Sequence, residues 1–208
     1  MKKLDIFFIS LFLSFYALTQ NNLSFSGDLQ ISGQTFQEDL LIEAEKRDPN
    51  LNSYLNLSLD YKNYLRIGTR LEIYKNPIPG FESYEGEGIA YKFIQFQKWN
   101  FDITIGNFYD QFGSGILFRS YFDPNLRVDN SVNGARVKYR PSSGIDLTAI
   151  IGKQRNYWDL GEGIIRGFDT QIYLNDYLFK KSKTKVSLGG SFVTKYQKDN
   201  KDSYVLPE

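Results

Sequence analysis

In nine stretches of the chain, apolar and polar residues alternate at period two. The clearest carries Val186, Leu188, Gly190, Phe192, Thr194 and Tyr196 on one parity, with Lys185, Ser187, Gly189, Ser191, Val193 and Lys195 on the other. Successive strand side chains point to opposite faces, so such a segment turns hydrocarbon to one side and polar groups to the other. The pattern predicts strands at residues 23–33, 53–61, 64–74, 87–97, 101–107, 133–140, 145–153, 164–174 and 185–196. In the third, Leu65, Ile67, Thr69, Leu71 and Ile73 share a face; in the seventh, Ile145, Leu147, Ala149 and Ile151 do. The fourth is ambiguous, because Ile89, Tyr91 and Phe93 oppose Ile94 and Phe96 and leave both faces apolar.

The connections alternate in length. Long ones are expected at 34–52, 75–86, 108–132 and 154–163, and short ones at 62–63, 98–100, 141–144 and 175–184. Short periplasmic turns alternating with longer outer loops mark an up-and-down outer-membrane barrel. Residues 116–121 have strand-like composition, but counting them as a strand would reverse every later loop, so 108–132 is assigned to one long outer loop. Several stretches run nine to twelve residues, longer than the usual strand of about five or six. The expected fold is therefore all-β, an antiparallel up-and-down outer-membrane β-barrel of about nine strands, partial and not closed within this chain. A secreted soluble β-sandwich, which also alternates apolar and polar positions, is the structural alternative.

The N-terminus adds a compartment. Lys2 and Lys3 precede an apolar run at 6–16, and Ala17-Leu18-Thr19 offers small residues at the positions a signal peptidase reads. Residues 1–19 are expected to be a cleaved signal peptide. The run is short for a bilayer span, which takes about 20 apolar residues. With export, the expected location is the outer membrane, with membrane lipid and the barrel-assembly machinery as partners. Residues 20–208 are expected to form the N-terminal part of a barrel domain truncated at its C-terminus. Two observations motivate that: the chain ends Tyr204-Val205-Leu206-Pro207-Glu208 rather than on a terminal aromatic, and single-chain bacterial barrels have even strand numbers.

Composition narrows the chemistry. The chain has no cysteine and no histidine, which removes disulfides, thiolate metal sites and any histidine base, nucleophile or zinc ligand within it. Its 25 basic and 24 acidic residues leave no basic excess of the kind nucleic-acid binding needs. Aromatics are 16% of the chain, which fits strand propensity and also the girdles of a membrane barrel. Phe101, Tyr61 and Tyr139 fall on apolar faces at the expected periplasmic strand ends, and Tyr196 falls at the opposite rim.

Candidate functional positions follow from the polar faces and the long fifth loop. Arg66, Arg70, Glu72, Arg136, Lys138 and Asp169 are candidate pore-lining residues. Arg119, Asp123, Arg127 and Asp129 are candidates for a constriction, if loop 108–132 folds inward against residues such as Arg66, Arg70 and Arg136; the alternative is a solvent-facing loop packed on its neighbours. Gly113-Ser114-Gly115 resembles part of a nucleophile elbow, but Ile116 stands where that pattern requires a second glycine. A turn needing positive φ is the better account. Asp123, Asn125, Asp129 and Asn130 lack calcium-loop spacing and suit turns. No cofactor, metal or catalytic residue is expected, and the protein is not expected to be an enzyme. Tyr157 and Trp158 could stack on a sugar ring or simply pack.

Residues 106–121, Gly-Asn-Phe-Tyr-Asp-Gln-Phe-Gly-Ser-Gly-Ile-Leu-Phe-Arg-Ser-Tyr, followed by Asp129-Asn130 and Gly134-Ala135-Arg136-Val137, resemble a signature of an uncharacterised family of outer-membrane barrel-like proteins from Bacteroidota. Phe112, Gly113, Ser114 and Gly115 form its signature turn, and Gly152-Lys153-Gln154-Arg155 also fits. The resemblance implies an outer-membrane location, longer family members, and no catalytic residue. The expected function is porin-like transport of a small polar solute. The alternative is a surface structural or binding barrel that recognises a partner or glycan through its outer loops.

Overall fold

The structure is a computed structural model and describes residues 22–38, 46–178 and 183–198. The expected signal peptide and the chain end at 204–208 lie outside the described residues. All regular structure within them is β, apart from two single-turn 3-10 helices at Glu82–Tyr84 and Leu174–Asp176. The long strands are antiparallel and fall into two compact units.

The first unit is a meander of β1 (Leu23–Gln34), β2 (Asn50–Tyr61), β3 (Leu65–Lys75) and β4 (Gly86–Lys98). Lys62 and Asn63, at φ 49° and 57°, make the tight β2–β3 turn, whose left-handed backbone matches the twist of a hairpin. The β2–β3 register sets Leu55 against Leu71 and Asn56 against Arg70, so apolar meets apolar and polar meets polar across the pair. In β3 the polar-side Gly68, Arg70, Glu72 and Tyr74 are buried, whereas Ile67, Leu71 and Ile73 are exposed.

The ambiguity of β4 resolves into a β-bulge. Arg70 pairs with Tyr91 but Leu71 pairs with Ile89, leaving Ala90 extra. The insertion shifts the phase by one, as bulges do. Ile89 and Ile94 therefore both stand on the exposed face, at 61% and 50%. Tyr91 and Phe93 turn to the other side, where Gly68 leaves room for the Phe93 ring; a Cβ on Gly68 would sit 2.3 Å from it.

The second unit has the order β5-β8-β9-β10-β11, with β5 (Phe101–Phe108), β8 (Val132–Ser142), β9 (Ile145–Asn156), β10 (Asp159–Tyr173) and β11 (Ser187–Tyr196). Between β5 and β8 the chain adds a two-residue hairpin, β6 (Phe122–Asp123) with β7 (Val128–Asp129). On this unit too the apolar parity is open: Ile105, Ile151, Phe168, Leu188 and Phe192 are all exposed. Phe101 and Tyr139 stack at the β5–β8 strand ends, ring centroids 4.3 Å apart.

Two connections differ from the expected lengths. The seventh is not a long loop at 154–163: β9 and β10 run on to a turn at Tyr157-Trp158, with Asn156 opposite Asp159 and Arg155 opposite Leu160. Gly161 and Gly163 disguise the start of β10, and the ladder shifts register between Leu160 and Ile164. The eighth, at 174–186, is then the longer one, so the length alternation fails after six connections. Residues 116–121 form no continuous strand, as expected. Among the described residues β1 pairs only with β2 and β11 only with β10, and the sheet does not close into a barrel.

Candidate functional site

The site is built by the 109–131 connection, which folds as two small hairpins. In the first, Gln111 bridges to Arg119, Phe112 N–H donates to the Phe118 carbonyl at 3.0 Å, and Ser120 N–H donates to the Asp110 carbonyl at 2.8 Å. Gly113 and Gly115, at φ 49° and 87°, close its tip. This backbone favours glycine, so Phe112–Gly115 is a structural turn. Ser114 is exposed at its tip. In the second hairpin, Asp123 Oδ1 accepts the Asn125 and Leu126 amides at 2.9 and 3.2 Å.

The first hairpin lies on the polar face of the second unit. Phe112 and Phe118 join Phe108, Val132, Ile150 and Ile165 in a buried cluster, with Val193 packed against it. Ile150, Ile165 and Val193 are the apolar residues that break the polar parity of β9, β10 and β11; together they form a greasy seat. Gly167 deepens it, because a Cβ there would stand 2.6 Å from the Phe112 ring. Beside the seat, Asp110 takes Lys138 Nζ at 2.9 Å and Arg136 Nη1 at 3.6 Å. Arg136 also donates to the Tyr109 carbonyl at 3.1 Å and to Thr104 Oγ1 at 3.0 Å.

The second anchor lies at the strand ends. Asp129 and Arg155 form a salt bridge, and Asp129 Oδ1 also accepts Tyr109 Oη–H at 2.9 Å and the Ser131 amide at 3.0 Å. Asp129 is therefore a buried anchor of the loop. Asp123 serves its own turn. Arg119 is exposed with its guanidinium 4.6 Å from the Tyr121 ring centroid. Arg127, held at φ 55°, lies 6.0 Å from the Phe81 ring.

The six candidate lining residues fall on the polar faces. In the second unit Arg136 and Lys138 meet the loop through Asp110, and Asp169 accepts Ser191 Oγ–H at 2.5 Å. In the first, Arg70 and Glu72 pair at 2.6 Å with both side chains buried. Tyr74 Oη–H donates to Glu72 at 3.1 Å, and Arg66 pairs with Asp60 at 2.5 Å.

Sequence reasoning missed Asp110, Tyr109 and Arg155 as anchors. It also missed a cleft of about 640 Å³ bordered by the 3-10 turn, β7, the β9–β10 turn and the end of β11. Trp158, a candidate for sugar stacking, is committed to packing instead: its Nε1–H donates to the Tyr84 carbonyl at 2.8 Å. Tyr157 lines the cleft, its ring 4.7 Å from that of Tyr84 and edge-on to it.

A family model matches residues 1–208. The chain belongs to a family of unknown function, DUF6029. No curated protein matches the sequence. In this DUF6029 chain residues 106–121 carry the first loop hairpin and its contacts with the polar face. Gly134 and Gly152 lie opposite each other in β8 and β9.

Proposed function

We propose that this DUF6029 protein is an outer-membrane β-barrel protein of Bacteroidota, exported by residues 1–19, that passes a small polar solute. The observation that carries this reading is the inverted burial of its strands. Arg70 and Glu72 are 4% and 0% exposed, while their apolar neighbours Leu71 and Ile73 are 37% and 38% exposed. Water would drive the opposite arrangement, because exposed hydrocarbon costs roughly 25 cal/mol per Å². A soluble sandwich hides its apolar faces against each other, so the pattern speaks against that alternative. Lipid is the solvent that rewards an apolar outside and a polar inside. The 109–131 loop then acts as a fixed inward fold that narrows the passage and lends it the charges of Asp110, Arg136 and Lys138. The barrel-assembly machinery and membrane lipid are the implied partners.

The test is to fractionate cells that express the protein with its own leader and to record its conductance in planar bilayers. The expected result is outer-membrane location and an ion preference that moves toward cations in Lys138→Glu. Recovery in the soluble periplasmic fraction would sink the membrane reading. Membrane location without conductance would sink the transport reading.

A further inference from the structure

On its apolar face the second unit carries charge of one sign. One rung of that face crosses Ile105, Ala135, Ile151, Arg166 and Thr194. The next rung toward the loops crosses Asn133, Lys153, Ile164 and Tyr196. From the turn end up to this second rung, the described residues of the face include Arg166 and Lys153 but no carboxylate. Arg166 is exposed and Lys153 half-buried. No hydrogen bond or ion pair to another described residue engages either side chain. Surfaces in water usually mix both signs, so two cations without an anion call for a counter-charge from outside the chain.

Their height on the face is informative. Ile172, on the same parity of β10, lies about 20 Å along the strand from Arg166. The rung between them and nearest to Arg166 is hydrocarbon: Phe168 pairs with Ala149 and Phe192, and the two Phe rings are 46% and 65% exposed. In the other direction the face ends at once. Two residues beyond Lys153, Arg155 is already buried against Asp129 of the long connection. The two cations therefore stand where the apolar face meets the loop layer. A cation facing lipid is costly at the bilayer midplane and nearly free at the interface, where a long side chain can keep its stem in hydrocarbon and its head among polar groups. Arg166 and Lys153 are diagonal neighbours on adjacent strands, about 7–8 Å apart at their stems. Side chains of that length converge on one anion from there. Thr194 and Tyr196 flank them with exposed hydroxyls.

We propose that Arg166 and Lys153 hold the headgroup phosphate of a glycolipid in the outer leaflet, with its acyl chains lying down over Phe168 and Phe192. Arg receives the phosphate as a planar fork and Lys as a point charge. The assignment rests on the membrane reading above, with the 109–131 connection on the outer side, and adds to it a lipid that the protein selects.

The test titrates the full-length protein in nonionic detergent with monophosphoryl lipid A, with the same lipid after phosphatase treatment, and with phosphatidylglycerol. Bound lipid is counted by native mass spectrometry. Monophosphoryl lipid A is expected to bind at least about ten-fold more tightly than either of the others, a difference of about 1.4 kcal/mol. Arg166→Gln and Lys153→Gln should each remove most of that preference. Lys195→Gln, on the opposite parity of β11, should keep it. The lipid comparison on the unaltered protein needs no variant to fold. Equal binding of the three lipids overturns the proposal, as does tighter binding of phosphatidylglycerol or a preference that survives both substitutions. Outer-membrane location without a phosphate preference would remove this site and leave the membrane reading standing, whereas recovery in the soluble periplasmic fraction would remove both.

Discussion

Arg155 and Asp129 meet as a buried ion pair, their side chains 3% and 1% exposed. The pair ties β7 to the end of β9 and so fixes the return of the long loop. Removing one partner of such a pair strands the other charge, at a cost of about 3–5 kcal/mol, whereas an apolar replacement of both can be neutral. Asp129→Ala should therefore unfold at markedly lower urea concentration, and Asp129→Leu with Arg155→Met should recover most of the loss. Equal stability of the single variant and the parent would show that the pair anchors nothing.

Phe112 fills the seat made by Ile150, Ile165 and Gly167. Phe112→Ala should cost about 3–5 kcal/mol if the seat stays empty, and should release the first hairpin from the polar face. In planar bilayers the expected readout is a larger and noisier unit conductance. A conductance identical to the parent's would mean the hairpin does not narrow the passage.

Ile94 is half exposed on the apolar face of β4. For a lipid-facing position near the bilayer midplane, Ile94→Arg should cost about 2–4 kcal/mol and lower the yield of folded protein in the outer membrane. On a water-facing surface the same change would be harmless. Comparing membrane yields of Ile94→Arg and Ile94→Leu separates the two solvents.

Gly134 and Gly33 make a matched pair of tests. A Cβ on Gly134 would lie 2.0 Å from the Ile151 carbonyl oxygen and 2.5 Å from Gly152 Cα, both backbone atoms that cannot step aside. On Gly33 the nearest atom, the Asn50 carbonyl oxygen, is 3.8 Å away. Gly134→Ala should lose at least about 1–3 kcal/mol through overpacking, while Gly33→Ala should stay within about 0.5 kcal/mol. Urea unfolding of the two variants side by side gives the comparison, and equal midpoints would refute the close approach.

The strands were legible because period two is a direct consequence of strand geometry. Val186 to Tyr196 could be placed from its alternation alone, and β11 begins only two residues inside the predicted stretch. The turns at Lys62-Asn63 and Trp99-Asn100 were legible from their brevity. What failed was local. Gly161 and Gly163 carry no side chain to report a face, so the first residues of β10 read as loop. The loop seat was hidden for a different reason. Ile150, Ile165 and Val193 look like lapses in a polar parity, and only a partner from elsewhere in the chain, Phe112 or Phe118, gives them meaning. Asp129 was found as a charged residue of the right loop, but its role depends on Arg155, which is 26 positions distant. Spacing along a chain does not encode such a pairing.

The extra residue at Ala90 also has a mechanical meaning. A regular strand can creep past its neighbour in steps of two without changing which side chains face which solvent. β4 lacks that freedom, because its two halves run in opposite phase and only one alignment with β3 satisfies both. Ala90 is thus a registration pin: it locks the ladder against sliding and lets one strand carry two short messages in place of one long one.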